Sequence, residues 1–447
     1  MIARPLTFDA SSPAASSQRW RSRWWRVVQH AGALGFVLGY VLFVNSPALK
    51  SKLAMLDDYE ILDFVSSDRL LSWSRVWHTF RADAFASTGR FLPVHYILRA
   101  AEMKLWGINA EAWHACRLVL ALFSGAALYV ALISFLRPAF AAGVAAALFS
   151  GAHTQVWVAL GFTETYATAI ALLAIAFVSH SIRSGRTRPA ELFGGFVLLV
   201  VTGACKESFL PIPLAAAVVV YVLLPRLRAV EIVGPSRWRT LDWVAMGLVA
   251  LAYVTLLVGN VVHVQRYGHF YKGGFTFTSF ADTLTFLLRQ TSVDTAWPAA
   301  LLGGAAMLAI VVRRSRREGA DAVSRERRQI RASLLLLAGA FAVLVVPQCV
   351  IYGTTPVHYP RYLIPGNFFA LLVIAWSGWV LQREPDRRWR GLASVIVLGI
   401  VVAATLATAR GSRTFAAHFA VATRQFHGTL AQVHRLAEQY PASPIVF

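Results

Sequence analysis

The chain reads as an all-α protein that crosses a membrane many times, and three observations predict this. Its 447 residues are 57% hydrophobic and only 15% charged, with a mean hydropathy of +0.55, well outside the range of soluble domains. Apolar runs of roughly 17–22 residues, enough to cross about 30 Å of hydrocarbon as helix, recur along most of the chain. The links between several of these runs are short and rich in arginine.

The runs fall near 25–45, 115–136, 139–157, 163–182, 190–205, 208–224, 241–262, 296–312, 332–352, 362–381 and 391–409, about eleven spans by the length criterion. Segments 183–188, 226–239, 313–331 and 383–390 carry the arginine, as does the amino-terminal stretch with Arg19, Arg21, Arg23 and Arg26. Such segments favour the cytoplasmic side. With a cytoplasmic start, strict alternation puts every one of them on that side, so the expectation is self-consistent. Residues 1–24 form a basic cytoplasmic amino terminus, 25–409 the membrane domain and 410–447 a short external tail.

Topology also accounts for the net charge of +21. The arginines sit in short loops and form no extended basic domain with interleaved aromatics, which argues against nucleic acid as a partner. The first run is too long for a cleaved signal and reads as a retained helix. Cys116, Cys205 and Cys349 lie in or beside spans without CxxC spacing, which indicates buried apolar packing rather than a zinc site or a disulfide framework.

Two external loops, 46–114 and 263–296, are too long to be simple turns, and long loops tend to carry function. The first opens with Asp57, Asp58 and Glu60, three carboxylates in four positions about a dozen residues past the first span. Acids beside a membrane are costly to hold there and mark sites for cations, protons or polar substrates. The plain alternative is a solvated helix start with an aspartate as cap. Further on, 70–77 and 94–106 repeat Leu, Trp and Ile at helical spacing, as expected of helices lying in the interface with aromatic anchors.

The order of these features resembles the GT-C superfamily of integral-membrane glycosyltransferases, near its protein O-mannosyltransferase and aminoarabinose-transferase branch. The resemblance rests on the acidic pair opening a large first loop, the Gly89-Arg90-Phe91-Leu92-Pro93 stretch, and Leu105-Trp106-Gly107 before the second span. It continues with Thr163-Glu164-Thr165, Lys206-Glu207-Ser208 and Pro360-Arg361-Tyr362-Leu363-Ile364-Pro365, and reaches to about residue 380. Each motif is short; their order and shared expected side make the combination specific. The tail from Arg410 is too short to be the external domain that some members carry.

The resemblance implies a GT-C-like bundle of about eleven helices. It also implies transfer of a sugar from a polyprenyl-phosphate donor to a hydroxyl of a lipid, polysaccharide or protein acceptor, on the non-cytoplasmic face. Such chemistry needs a base to take the acceptor proton, a role the resemblance assigns to the first-loop acids, here Asp58 with Asp57 as second choice. It also needs cations against the departing phosphate, for which Arg90, Lys206 and Arg361 are the candidates; the ordinary alternative for each is an interfacial side chain reaching headgroups. Glu164 and Glu207 are placed to orient sugar hydroxyls or to balance a neighbouring cation. Asp58 and Glu60 form an acid-x-acid pair able to bind a divalent cation such as Mg or Mn; the sequence leaves metal dependence open.

His78, His95, His263, His269 and His358 fall in external loops with no compact zinc spacing, which favours interface or acceptor contacts over metal. The glycine- and aromatic-rich stretch 267–275 has the composition of a gate on the acceptor side. A transporter or flippase of a lipid-linked or envelope substrate is the competing class, but repeated halves and broken midplane helices are not evident. A non-catalytic scaffold is the third. The arginine- and alanine-rich composition points to a bacterial inner membrane with the site on the periplasmic or extracellular face.

Overall fold

The computed structural model describes residues 13–54, 64–65, 71–87, 89–149, 151, 154–161, 163–183, 189–217, 240–267, 276–293, 335, 337–352, 364–382 and 387–439. Among these the chain is helical, with one isolated β-bridge between Val65 and Leu71. Among the described residues five helices are long and apolar enough to cross a membrane, in keeping with an integral membrane protein. The expected span 296–312 and the arginine-rich segments 226–239 and 313–331 lie outside the described residues.

Helix α1 (Pro13–Asn45) leads through a 3-10 turn (Ser46–Lys50) into the first long loop. That loop holds two amphipathic helices, as its periodicity predicts. In α2 (Trp73–Ala82) Val76 and Phe80 face inward while Trp73 and Trp77 are exposed. Its amino end is capped by Ser72, whose hydroxyl accepts from the Arg75 amide. In α3 (Pro93–Trp106) proline occupies the first turn, where its missing N–H costs nothing. Gly107 ends the helix at φ +53°, a conformation that glycine adopts without strain.

Helix α4 (Ala110–Leu132) starts at Asn109, whose side chain accepts from the amides of Glu111 and Ala112. It packs on α1 and on α7 (Glu164–Arg183). Between them the expected span 139–157 is not one helix. It divides into α5 (Pro138–Ala147) and α6 (Thr154–Val158), separated by a turn in which Gly151 takes φ +69° and donates its N–H to the Ser412 hydroxyl. Helix α5 is buried from Phe140 to Ala147; small side chains let it sit within the bundle, a burial that hydropathy alone cannot distinguish from lipid exposure.

Helices α8 (Pro189–Cys205), α9 (Pro211–Ala217) and α10 (Thr240–Tyr267) follow. Helix α8 packs closely along α7: a Cβ on Gly195 would lie 2.7 Å from Val178 Cγ2. The second expected external loop contains a helix of its own, α11 (Phe277–Val293), while 268–275 lie outside the described residues. Helices α12 (Val346–Tyr352) and α13 (Ile364–Gln382) precede the last, α14 (Arg387–Gln439).

The expected external tail is a continuation of α14, which runs for 53 residues, about 80 Å at the helical rise. Its carboxy-terminal half is tied to the start of the first loop. Lys52 N–H donates to Thr423 Oγ1 at 3.0 Å, His427 Nε2 to the Leu53 carbonyl at 3.0 Å, and Arg413 bonds the Phe43 carbonyl and covers its ring. The main apolar core joins α1, α4, α5, α7, α8, α13 and α14. A second core lies beneath the first loop and unites Leu53, Phe64, Phe80, Leu92, Tyr96 and Trp113.

Candidate functional site: a buried charge cluster

Four of the sequence-selected residues meet. Arg90 lies just before α3, Glu164 opens α7, and Lys206 and Glu207 follow the end of α8. Lys206 Nζ is 3.3 Å from Glu164 Oε1 and 3.4 Å from Glu207 Oε1, and that second oxygen is also 3.4 Å from Arg90 Nε. The result is an alternating chain, Glu164⁻, Lys206⁺, Glu207⁻, Arg90⁺. Its first three members are 2–7% exposed and Arg90 is 24% exposed, so an anion from solvent meets Arg90 first.

Backbone geometry explains how residues so distant in sequence are brought together. After α8 the chain makes a short 3-10 turn (Glu207–Phe209) that reverses toward α9 and turns both Lys206 and Glu207 inward. On the other side Gly89, at φ +69°, donates its N–H to the Asp83 carbonyl at 2.8 Å and closes the turn that presents Arg90. The Tyr96 hydroxyl bonds the Asp83 carboxylate and fixes this turn to α3.

A second charged group, which the sequence reading missed, is equally buried. Arg117 NH2 is 3.1 Å from Glu102 Oε2, and Arg99 NH1 is 3.6 Å from the same oxygen. Both guanidinium groups also donate to the Leu160 carbonyl. Arg117 lies with Cζ 4.4 Å from the Tyr166 ring centroid, a cation–π contact that favours a desolvated guanidinium. The signal was present in the sequence: an arginine inside an expected span is a functional-site candidate by default, and Arg99 and Glu102 stand three residues apart on one face of α3.

His95 stands on that same face, one helical turn before Arg99 and close to both groups. It is buried, and its Nδ1 has no hydrogen-bond partner among the described residues. Burial lowers its pKa well below the usual histidine value, and Arg99, Lys206, Arg117 and Arg90 lower it further. The imidazole is therefore neutral at pH 7. For Glu207, burial alone would raise the carboxyl; Lys206 and Arg90 reverse this and bring it down to about 2. Glu207 stays ionised and is too weak a base to take a proton from a hydroxyl.

A pH dependence follows. Because folding depresses the His95 pKa, its neutral form contributes stability above about pH 6.5, the unfolded value, and that contribution is lost as pH falls below it. In melting curves from pH 7.5 to 5, the parent is expected to lose more stability than His95→Gln, whose amide does not titrate. Parallel losses in the two proteins would show that His95 does not carry this effect.

Asp57, Asp58, Glu60 and Arg361 lie outside the described residues, as do His269 and His358. The residues bracketing the acidic segment, Leu53 and Phe64, are both buried in the core that includes Leu92 and Tyr96, on either side of His95. His78 is exposed, and His263 packs on Phe85 and Phe91. The three cysteines are free, with Cys205 and Cys349 buried. Among the described residues no group of three or more His, Cys, Asp or Glu side chains is disposed to hold a metal. No protein-family model, characterised protein or solved structure matches the chain.

Proposed function

We propose that the chain is an integral-membrane glycosyltransferase with a GT-C-like bundle, moving a sugar from a polyprenyl-phosphate donor to an acceptor hydroxyl on the non-cytoplasmic face. The observation that carries this reading is the convergence of Arg90, Lys206, Glu164 and Glu207 from three separate segments into one cation-containing cluster beside the first loop. Arg90, at the exposed end of the chain of charges, meets the phosphate. Glu164 and Glu207 hold the cations in place and face sugar hydroxyls. The base, following the resemblance, is assigned to Asp58 with Asp57 as second choice; Glu207 is too acidic to accept a proton.

In the reaction the acceptor oxygen attacks the anomeric carbon as its proton passes to the Asp58 carboxylate. The bond from that carbon to the phosphate oxygen breaks, and polyprenyl phosphate leaves with its charge met by Arg90. A single displacement inverts the anomeric configuration. Arg361 is assigned to the same phosphate, and a divalent cation, where one is used, to Asp58 and Glu60.

The test is to compare envelope glycans and lipid-linked sugars in cells with and without the protein, and then to assay transfer by the purified protein in detergent. Loss of a glycan, accumulation of its lipid-linked precursor and transfer in micelles are expected, with Arg90→Ala reducing transfer at least tenfold through the lost charge-assisted bond. A transporter or flippase would give no transfer in micelles, where there is no second compartment. Unchanged glycans and lipid-linked pools would overturn the reading.

A further inference from the structure

On helix α10 a stripe of Tyr253, Leu256, Asn260 and His263, spaced three or four residues apart, touches the segments around the charge cluster. The Tyr253 hydroxyl donates to the Leu210 carbonyl at 3.0 Å, and Leu256 packs with Leu210 and Ala204. These neighbours flank Lys206 and Glu207. The Asn260 carboxamide clasps the backbone of Phe91: Oδ1 accepts the Phe91 N–H at 3.4 Å, and Nδ2 donates to the Phe91 carbonyl at 3.3 Å and to Leu256 O at 3.0 Å. Nδ1 of His263 is 3.1 Å from the Ala84 carbonyl, and its ring stacks on Phe91 with centroids 5.5 Å apart. The stripe therefore grips two of the three segments that supply the cluster, on either side of the 3.4 Å contact between Arg90 and Glu207.

The other side of α10 presents an open apolar surface: Val244, Leu248, Leu251, Val254 and Val258 are all exposed. An asparagine in such a helix is costly unless its hydrogen bonds are met. Asn260 is 4% exposed, and its two bonds to Phe91 are spent on the residue next to Arg90. A helix-packing role alone would be filled better by leucine.

We infer that Asn260 is a positioning residue: by fixing the backbone at Phe91 it sets where the Arg90 guanidinium meets the monoester phosphate of a lipid ligand. This rests on the proposed phosphate role of Arg90 and adds to it a control from α10. The Phe91 N–H belongs to the Arg90–Phe91 peptide and its C=O to the Phe91–Leu92 peptide; the bond to the N–H restrains the peptide that adjoins Arg90, so Arg90 keeps one approach to Glu207 and to the ligand. Releasing the clasp frees that peptide while leaving every charge in place.

The experiment is a double-mutant cycle on the full chain in detergent, with native mass spectrometry reading retention of a polyprenyl monophosphate against the polyprenol of equal length. Arg90→Ala and Asn260→Ala are each expected to weaken monophosphate retention about tenfold or more. Retention of the polyprenol should change little. Because Asn260 acts through Arg90, the double variant should be no weaker than Arg90→Ala alone. Additive losses, or an equal loss for polyprenol, would overturn the positioning role while leaving the phosphate reading intact. A parent that does not prefer the monophosphate would instead remove the phosphate reading, and the inference with it. Should Asn260→Ala fail to fold, Asn260→Ser, which keeps one hydrogen-bonding group in the stripe, serves in the same cycle.

Discussion

Asp58→Asn is expected to abolish sugar transfer, a loss of roughly a hundred- to ten-thousand-fold if the carboxylate is the general base, with yield and membrane insertion close to the parent. Asparagine keeps the size and hydrogen-bonding shape of aspartate but does not take up a proton at neutral pH, so the change separates basicity from packing. Glu207, the carboxylate in contact with Arg90, is held at about 2 and stays ionised. Asp57→Asn should be milder, and Glu60→Gln should matter strongly only where a divalent cation bridges the pair. Transfer by the purified variants, with and without chelator, checks all three. Near-parental turnover in Asp58→Asn would sink the base assignment.

Lys206→Met is expected to destabilise the protein by roughly 3–5 kcal/mol, the cost of breaking a buried ion pair by removing one partner. From the sequence alone Lys206 is a ligand-facing cation whose loss should weaken donor use and leave the fold intact. The structure changes that expectation, because its ammonium is the shared partner of Glu164 and Glu207, all three being nearly inaccessible to water. Removing it takes this cation from both Glu164 and Glu207, while Arg90 stays beside Glu207. The two carboxylates must then protonate or draw in water, either of which loosens the junction of α7 and α8. Lys206→Arg should recover part of the loss, and the double change Lys206→Met with Glu164→Gln should be more stable than Lys206→Met alone, since it removes a stranded charge. Thermal unfolding in detergent measures the series. A melting midpoint for Lys206→Met equal to the parent's would show that the cluster contributes nothing to the fold, and Lys206 would return to a purely ligand-facing role.

The same contrast between local pattern and tertiary placement runs through the rest of the molecule. Hydropathy located α4, α7, α8, α10 and α13 to within about five residues, and the carboxy-terminal end of α1, because a helix surrounded by lipid or apolar neighbours must satisfy its backbone internally and carry an apolar surface for its whole length. The amphipathic periods of α2 and α3 were legible for the related reason that one face of each is buried and the other exposed. The reading failed where apolar length and helix length part company. Residues 139–157 are apolar enough to cross but break at Gly151, whose backbone N–H is held by Ser412 from the far end of the chain. Residues 410–439 are too polar to cross yet continue α14, since their alanine, leucine, glutamine and arginine are good helix formers and the first loop gives them a surface to pack on.

At the candidate site the sequence by itself determined which side chains were out of place in an apolar chain: Glu164, Lys206 and Glu207 stand at the ends of membrane-length runs, where charge is costly unless it is used or paired, and Arg90 stands in the long first loop. Only the tertiary structure decided how they pair. The contacts of Lys206 with Glu164 and of Arg90 with Glu207 span 42 and 117 positions of the chain, and the clasp of Asn260 on Phe91 spans 169. A hydropathy or helical period reports only what lies within a few turns of one helix. Separations of this length are set by which helices pack together, and therefore by the burial of apolar surface throughout the bundle.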